Sequence, residues 1–211
     1  MICHHKRFVF LHIPRTGGTS INKTLRPLCE TPTDGNHPNP AYRTHASLSD
    51  YKSYLDEKFD SYWKFTIVRN PWDRMVSLYF WGLQIRNISA SDPDHWKRYG
   101  DFNEWLKKRL VNLVRQQGVT RWGNCVNNMM IDGKMSLDFV GRFENLKEEW
   151  NHICQKIDID LPLLHLWGTK RQHYSTYYDD ESIQIVASLF EKDIQTFGYS
   201  FEEEETEREG S

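Results

Sequence analysis

Nothing in this sequence pairs its cysteines. Cys3, Cys29, Cys125 and Cys154 are widely separated and no C-x-x-C pair occurs, which implies no disulfide framework and no zinc site and points to a reduced compartment. Cys3-His4-His5 is the nearest approach to a metal cluster, but it has no second half and lies at an end expected to fray. No apolar run approaches the ~20 residues that a membrane span needs, and the first residues lack a signal-peptide pattern. The expectation is a soluble, cytoplasmic protein with no membrane span. An excess of one charge is missing too: the formal net charge is -2, so no general attraction to nucleic acid is expected and any anion must be held by local arrangement. There is no internal repeat and no domain-scale linker, and 211 residues fit one domain more easily than two. We assign residues 1–201 to a single domain and expect disorder in the acidic tail, 202–211, which lacks apolar groups.

What is present begins with Phe8-Val9-Phe10-Leu11-His12-Ile13-Pro14-Arg15-Thr16-Gly17-Gly18-Thr19-Ser20. An apolar run breaks at Pro14, turns through two glycines and offers hydroxyls before a helical stretch, Ile21 to Arg26. That order reads as strand, phosphate loop, helix. Such a helix presents unpaired N–H groups and the positive end of its dipole to a phosphate or sulfate. The loop lacks the Lys-Ser/Thr ending of the nucleotide triphosphatase loop and hence its usual magnesium ligand. Taken alone, an ordinary glycine turn accounts for it equally well.

Residues 29–44 carry three prolines, with Pro27 just before them, and further turn signals, so the first helix ends there and a long loop follows. Ser47-x-x-Asp50 is a capping signal for a short helix through Leu55, with His45 just before it. Tyr62 to Val68 reads as a second buried strand running into Arg69-Asn70-Pro71-Trp72-Asp73-Arg74-Met75-Val76-Ser77. Asn70 suits an N-cap, Pro71 the first helical position, and Asp73 the first turn. Arg69 at the strand end and Ser77 two turns into the helix would converge on one phosphate if the helix folds back along the sheet edge; otherwise they are a solvated arginine and an exposed serine. Residues 84–100 read as a loop or lid, Asp101 starts a helix over about 102–117, and Arg121 to Met130 holds at most a short helix. Leu137 to Phe143 is a third strand candidate, followed by a helix to about Ile157 with Leu146, Trp150, Ile153 and Ile157 on one face. The 158–178 segment carries Lys170, Arg171 and His173, which either close over a phosphate or are solvated. A last helix is expected over about 180–196.

Strands that feed helices imply a three-layer α/β domain with a mainly parallel central sheet flanked by helices, whose ligands bind outside the carboxyl ends of the strands. On these motifs the sequence resembles sulfotransferases that use 3′-phosphoadenosine-5′-phosphosulfate (PAPS), in particular small bacterial-type members related to the heparan sulfate 2-O-sulfotransferase group. His12 to Ser20 looks like the 5′-phosphosulfate loop and Phe65 to Ser77 like the 3′-phosphate motif. Phe139 to Leu146 and Tyr177-Tyr178-Asp179-Asp180 also look familiar, so the resemblance runs from about Phe8 to Phe201. It implies a P-loop-NTPase-like sulfotransferase fold. It also implies that Arg15, Thr16, Gly17, Gly18, Thr19 and Ser20 cradle the 5′-phosphosulfate, and that Arg69 and Ser77 bind the 3′-phosphate of PAPS or of its product PAP. Lys170 and Arg171 are added as cofactor-binding candidates from their basic segment. His45 matches the catalytic histidine by position and loop setting.

Many relatives have lysine where this chain has Arg15. Arginine keeps the charge but cannot donate a proton at neutral pH, so its catalytic part is electrostatic. The implied reaction is sulfuryl transfer from PAPS to an acceptor hydroxyl, with His45 as general base and no metal. A carbohydrate acceptor is implied by the family, and the aromatic-rich segment 63–105 is compatible with one. A nucleotide kinase-like enzyme would need the missing lysine and a magnesium ligand. A non-catalytic module binding PAP or a glycan is the other alternative, and it would bind without transferring.

Overall fold

The computed structural model describes residues 1–29, 37–88, 99–112, 122–166 and 171–201. In chain order its regular elements are β1 (Ile2–Cys3), β2 (Phe8–Leu11), α1 (Gly18–Leu25), α2 (Leu48–Leu55), β3 (Trp63–Val68), α3 (Pro71–Gln84), α4 (Phe102–Trp105), β4 (Met130–Ile131), β5 (Lys134–Met135), β6 (Phe139–Arg142), α5 (Leu146–Ile157), α6 (Asp180–Leu189) and α7 (Glu191–Phe197). The chain divides into two compact units, one of residues 1–69 and 114–170, the other of 70–113 and 171–211.

The first unit is built on a four-stranded sheet in the order β1-β2-β3-β6. β2, β3 and β6 run parallel, and β1 pairs antiparallel with β2 at the edge. β2 is buried along its whole length and β3 at all but its first residue, as expected of parallel strands covered on both faces. The register sets Phe10 beside Phe65 and Phe65 beside Phe139. On that face Phe8, Phe10, Phe65 and Ile67 form one core with Ile21 and Leu25 of α1 and with Trp150, Ile153 and Ile157 of α5. Each of these large side chains contributes about 1.5–3 kcal/mol by leaving water. On the other face Thr66 is fully buried and donates its hydroxyl to the Leu11 carbonyl at 2.7 Å, tying the ends of β2 and β3 together. β4 and β5 form a separate two-stranded ribbon.

The amino end does not fray as expected. Ile2 pairs with Val9 and Cys3 with Phe8, Met1 to Cys3 are buried, and the Met1 amino group donates to the Phe10 carbonyl at 2.7 Å and to the Tyr51 hydroxyl. Burial pushes that amine down to about 5. Two apolar residues that cover the open edge of β2 bury more surface than an unpaired end would. The capping box read at Ser47 and Asp50 is formed: the Asp50 N–H donates to Ser47 Oγ at 3.1 Å, and the Ser47 N–H to Asp50 Oδ2 at 2.7 Å.

In the second unit α3 starts as its sequence indicates. Asn70 Oδ1 accepts from the Trp72 N–H at 3.0 Å with Pro71 at the first helical position. Asp101 caps α4 by accepting from the Glu104 N–H at 2.8 Å. After four residues α4 widens into a π turn, Leu106–Leu110, and the expected continuation past 112 falls outside the described residues. The single helix expected over 180–196 is instead two, α6 and α7, meeting at Phe190 (φ -115°, ψ 24°). Neither glycine nor proline marks the break, so apolar periodicity reads straight through it.

Candidate functional site

The carboxyl end of β2 leads into the first part of the site. Between Leu11 and α1 the chain turns with two residues at left-handed φ, Arg15 (φ 68°) and Gly17 (φ 82°). Thr16 is buried and steadies the turn by donating to the Ile13 carbonyl at 2.9 Å. Gly17 is glycine for two reasons. Its φ suits no side chain well, and a Cβ would lie 3.1 Å from Leu146 Cδ2 and 3.2 Å from the Phe143 ring. No side chain caps α1 at Gly17, so the first N–H groups of the helix suit an anion. Thr19 is exposed at this end. Ser20 is buried, and its hydroxyl accepts from the Leu166 N–H at 3.2 Å while Thr24 accepts from the Leu164 N–H at 3.1 Å. These two hydroxyls hold the 161–166 segment along α1.

The end of β3 supplies the second part. Arg69 is buried, donates through NH1 to the Arg15 carbonyl at 3.0 Å, and lies 3.9 Å over the Phe143 ring. The sheet explains this meeting, because Val68 pairs with Arg142 and the next residue of each strand is therefore brought alongside. A guanidinium on an aromatic face is held flat, with its edge left to make hydrogen bonds.

The third part is His45. Its Nδ1 lies 3.0 Å from the carbonyl oxygen of His12, and the two imidazoles meet edge to face with centroids 4.7 Å apart. A carbonyl can only accept, so Nδ1 carries the proton and the lone pair of neutral His45 sits on Nε2. The base candidate is thereby tied to the first residue of the glycine loop.

In the second unit Ser77 is buried in α3. Arg171 is bonded through NH2 to the Asp73 carboxylate, so its charge is matched within this unit. Arg74 and Asp193, both almost wholly buried, pair at 3.9 Å. Asn70 Nδ2 donates to the Ser200 carbonyl at 3.0 Å, and the Tyr178 hydroxyl to the Trp72 carbonyl at 2.8 Å. Burial, with the Asp73 carboxylate second, raises the Tyr178 phenol well above its ordinary value, which keeps it a neutral donor.

Against known families, the sequence model of the sulfotransferase family matches residues 1–200. The chain belongs to the sulfotransferase family. No curated protein and no solved structure matches it.

Of the residues singled out from sequence, the first unit of this sulfotransferase brings together Arg15, Thr16, Gly17, Gly18, Thr19, Ser20, Arg69 and His45 at or next to the carboxyl ends of β2 and β3. Ser77 and Arg171 belong to the second unit, and Lys170 lies outside the described residues. Two participants escaped sequence reasoning. Phe143 stands in the sequence only as the end of a strand candidate and part of a motif, and the strand register is what reveals it as the platform for Arg69. His12 stands in the sequence only as the first residue of the loop motif, with no role of its own, yet its carbonyl sets the tautomer of His45. Among the described residues no group of three or more His, Cys, Asp or Glu stands ready to hold a metal ion, and no helix is long and apolar enough to cross a membrane.

Proposed function

We propose that this chain transfers the sulfuryl group of PAPS to a carbohydrate hydroxyl, and that residues 1–201 act as one domain of the three-layer, P-loop-like sulfotransferase kind. The observation that carries the proposal is the hydrogen bond from His45 Nδ1 to the His12 carbonyl, which ties an imidazole base to an uncapped helix start suited to an anion. Arg15, Thr16, Gly17, Gly18, Thr19 and Ser20 would hold the 5′-phosphosulfate, with Arg69 and Ser77 on the 3′-phosphate. Lys170 and Arg171 would add positive charge to a phosphate, Arg171 while paired with Asp73.

When bound, the donor supplies an electrophilic sulfur and a phosphate leaving group. His45 takes the proton of the acceptor hydroxyl on Nε2 as that oxygen bonds to sulfur. The bond between sulfur and the bridging oxygen breaks, and its electron pair leaves on the nucleotide. General-base help of this kind is worth ~10²–10⁴-fold. Arg15 and the helix N–H groups oppose the charge that builds on the sulfuryl and bridging oxygens. Labelled PAPS offered with a panel of glycans tests the activity, and calorimetry with PAP tests the donor. His45→Ala should lower transfer at least ~10²-fold with PAP affinity unchanged. Near-native transfer by that variant would remove His45 from the mechanism, and failure to bind PAP would remove the donor assignment.

A further inference from the structure

The proposed mechanism uses the backbone of His12 and leaves its side chain without a task. That ring is only 5% exposed. It stacks on Phe10 with centroids 5.9 Å apart and 16° between planes, and it meets the edge of His45 at 4.7 Å and 60°. Its Nδ1 lies 3.4 Å from Asn22 Nδ2 on α1. It also occupies the space beside Gly18, where a Cβ would come within 2.1 Å of Cδ2 and 2.4 Å of Nε2. One imidazole therefore packs against β2, the first residue of α1 and the base.

We propose that the His12 ring is a positioning element for His45, setting the direction of its Nε2 lone pair relative to the helix start. The inference rests on the base role of His45 proposed above. The hydrogen bond from Nδ1 to the His12 carbonyl fixes the tautomer, and the flat ring packed edge to face at 4.7 Å and 60° sets the tilt of the imidazole plane. The aim matters, because displacing a reacting group by about 1 Å can cost ~10²-fold in rate. The ring is in turn held by Phe10, Asn22 and the absence of a side chain at Gly18, so the base and the anion loop share one support. Were His12 only a core filler, any apolar residue would serve and His45 would not respond to its identity.

The experiment compares His12→Ala with His12→Phe in the full chain. Every variant keeps the carbonyl; phenylalanine keeps the flat ring and alanine does not. Readouts are kcat with labelled PAPS, PAP affinity by calorimetry, and the imidazole ¹⁵N signals of His45. His12→Ala should lower kcat about 10–100-fold, leave PAP affinity within about twofold, and, with the retained carbonyl keeping the Nδ1–H tautomer, broaden the His45 ring signals as the imidazole plane loses its fixed tilt. His12→Phe should recover kcat to within about threefold and restore the sharp His45 signals. Should His12→Ala fail to fold, His12→Leu fills the volume without a flat ring and carries the same expectations. Unchanged kcat and unchanged His45 signals in the alanine or leucine variant would overturn the proposal, as would equal damage from phenylalanine. Full activity in His45→Ala would instead sink the base assignment, while the ¹⁵N signals would still report whether the His12 ring holds His45.

Discussion

Gly18→Ala is the substitution whose outcome the packing decides against ordinary helix chemistry. Gly18 has no left-handed φ and opens α1, a setting in which alanine normally gains up to about 1 kcal/mol. Here the new Cβ would stand 2.1 Å from Cδ2 and 2.4 Å from Nε2 of His12, and the ring must move by about 1 Å or more to reach van der Waals contact. That ring is buried against Phe10 and His45 and has little room to yield. Overpacking costs about 1–3 kcal/mol; approaches this short to a hemmed ring put it at about 2–3, and subtracting the helix gain of up to about 1 leaves a net loss of about 1–2 kcal/mol, a fall in Tm of about 2–8 °C for a chain of this size. Thermal unfolding followed by circular dichroism reads it directly. In a His12→Ala background the obstacle is gone and the same substitution should be neutral or stabilising, giving a coupling of at least about 1 kcal/mol between the two positions. A Tm at or above wild type for the single variant, or an equal fall in both backgrounds, would refute the reasoning.

Three further predictions concern stability. Asp193→Ala takes a buried carboxylate away from the buried Arg74 and should cost about 3–5 kcal/mol in urea unfolding, whereas replacing both by leucine or methionine should cost far less. Burial, with the Asp101 carboxylate second, pushes the Tyr79 phenol up to about 12. Between pH 10 and that value the unfolded chain loses the proton first, so stability falls as pH rises; Tyr79→Phe should flatten the fall, as seen by denaturant titration at pH 9 and 11. Ser47→Ala removes the acceptor of the Asp50 N–H in the capping box of α2 and should lower stability by about 1 kcal/mol.

The elements legible in sequence are those whose signals are local. The apolar runs of β2 and β3, the Asn70-Pro71 start of α3 and the Ser47–Asp50 box each depend on residues within one turn of one another. The stripe of α5 was equally legible, because Trp150, Ile153 and Ile157 recur at helical spacing. What escaped depends on register or on distant packing. Arg69 finds Phe143 only because β3 and β6 pair in one register. Ser20, which the motif assigns to the anion, also accepts from the Leu166 N–H, 146 positions away, a bond no local signal announces. β1 is too short for periodicity to reveal and exists because β2 presents an open edge to it.

Arg69 shows how the site geometry changes an experiment designed from sequence alone. If its guanidinium served only the 3′-phosphate, Arg69→Ala would weaken PAP and leave adenosine-5′-phosphosulfate, which lacks that phosphate, untouched. Its NH1 also donates to the Arg15 carbonyl at 3.0 Å, so the variant loosens the 5′ loop as well. A hydrogen bond of that sort is worth about 0.5–1.5 kcal/mol and should be lost from both ligands. A charge-assisted contact to the 3′-phosphate adds about 1.5–3 kcal/mol lost from PAP alone. Calorimetry should therefore show a loss of up to about tenfold for adenosine-5′-phosphosulfate and a further loss of roughly 10–150-fold for PAP. Arg69→Lys separates the parts further, since lysine keeps the charge but neither lies flat on Phe143 nor presents a fork. Equal losses for the two ligands would leave Arg69 as a brace of the loop and move the 3′-phosphate contact to another residue.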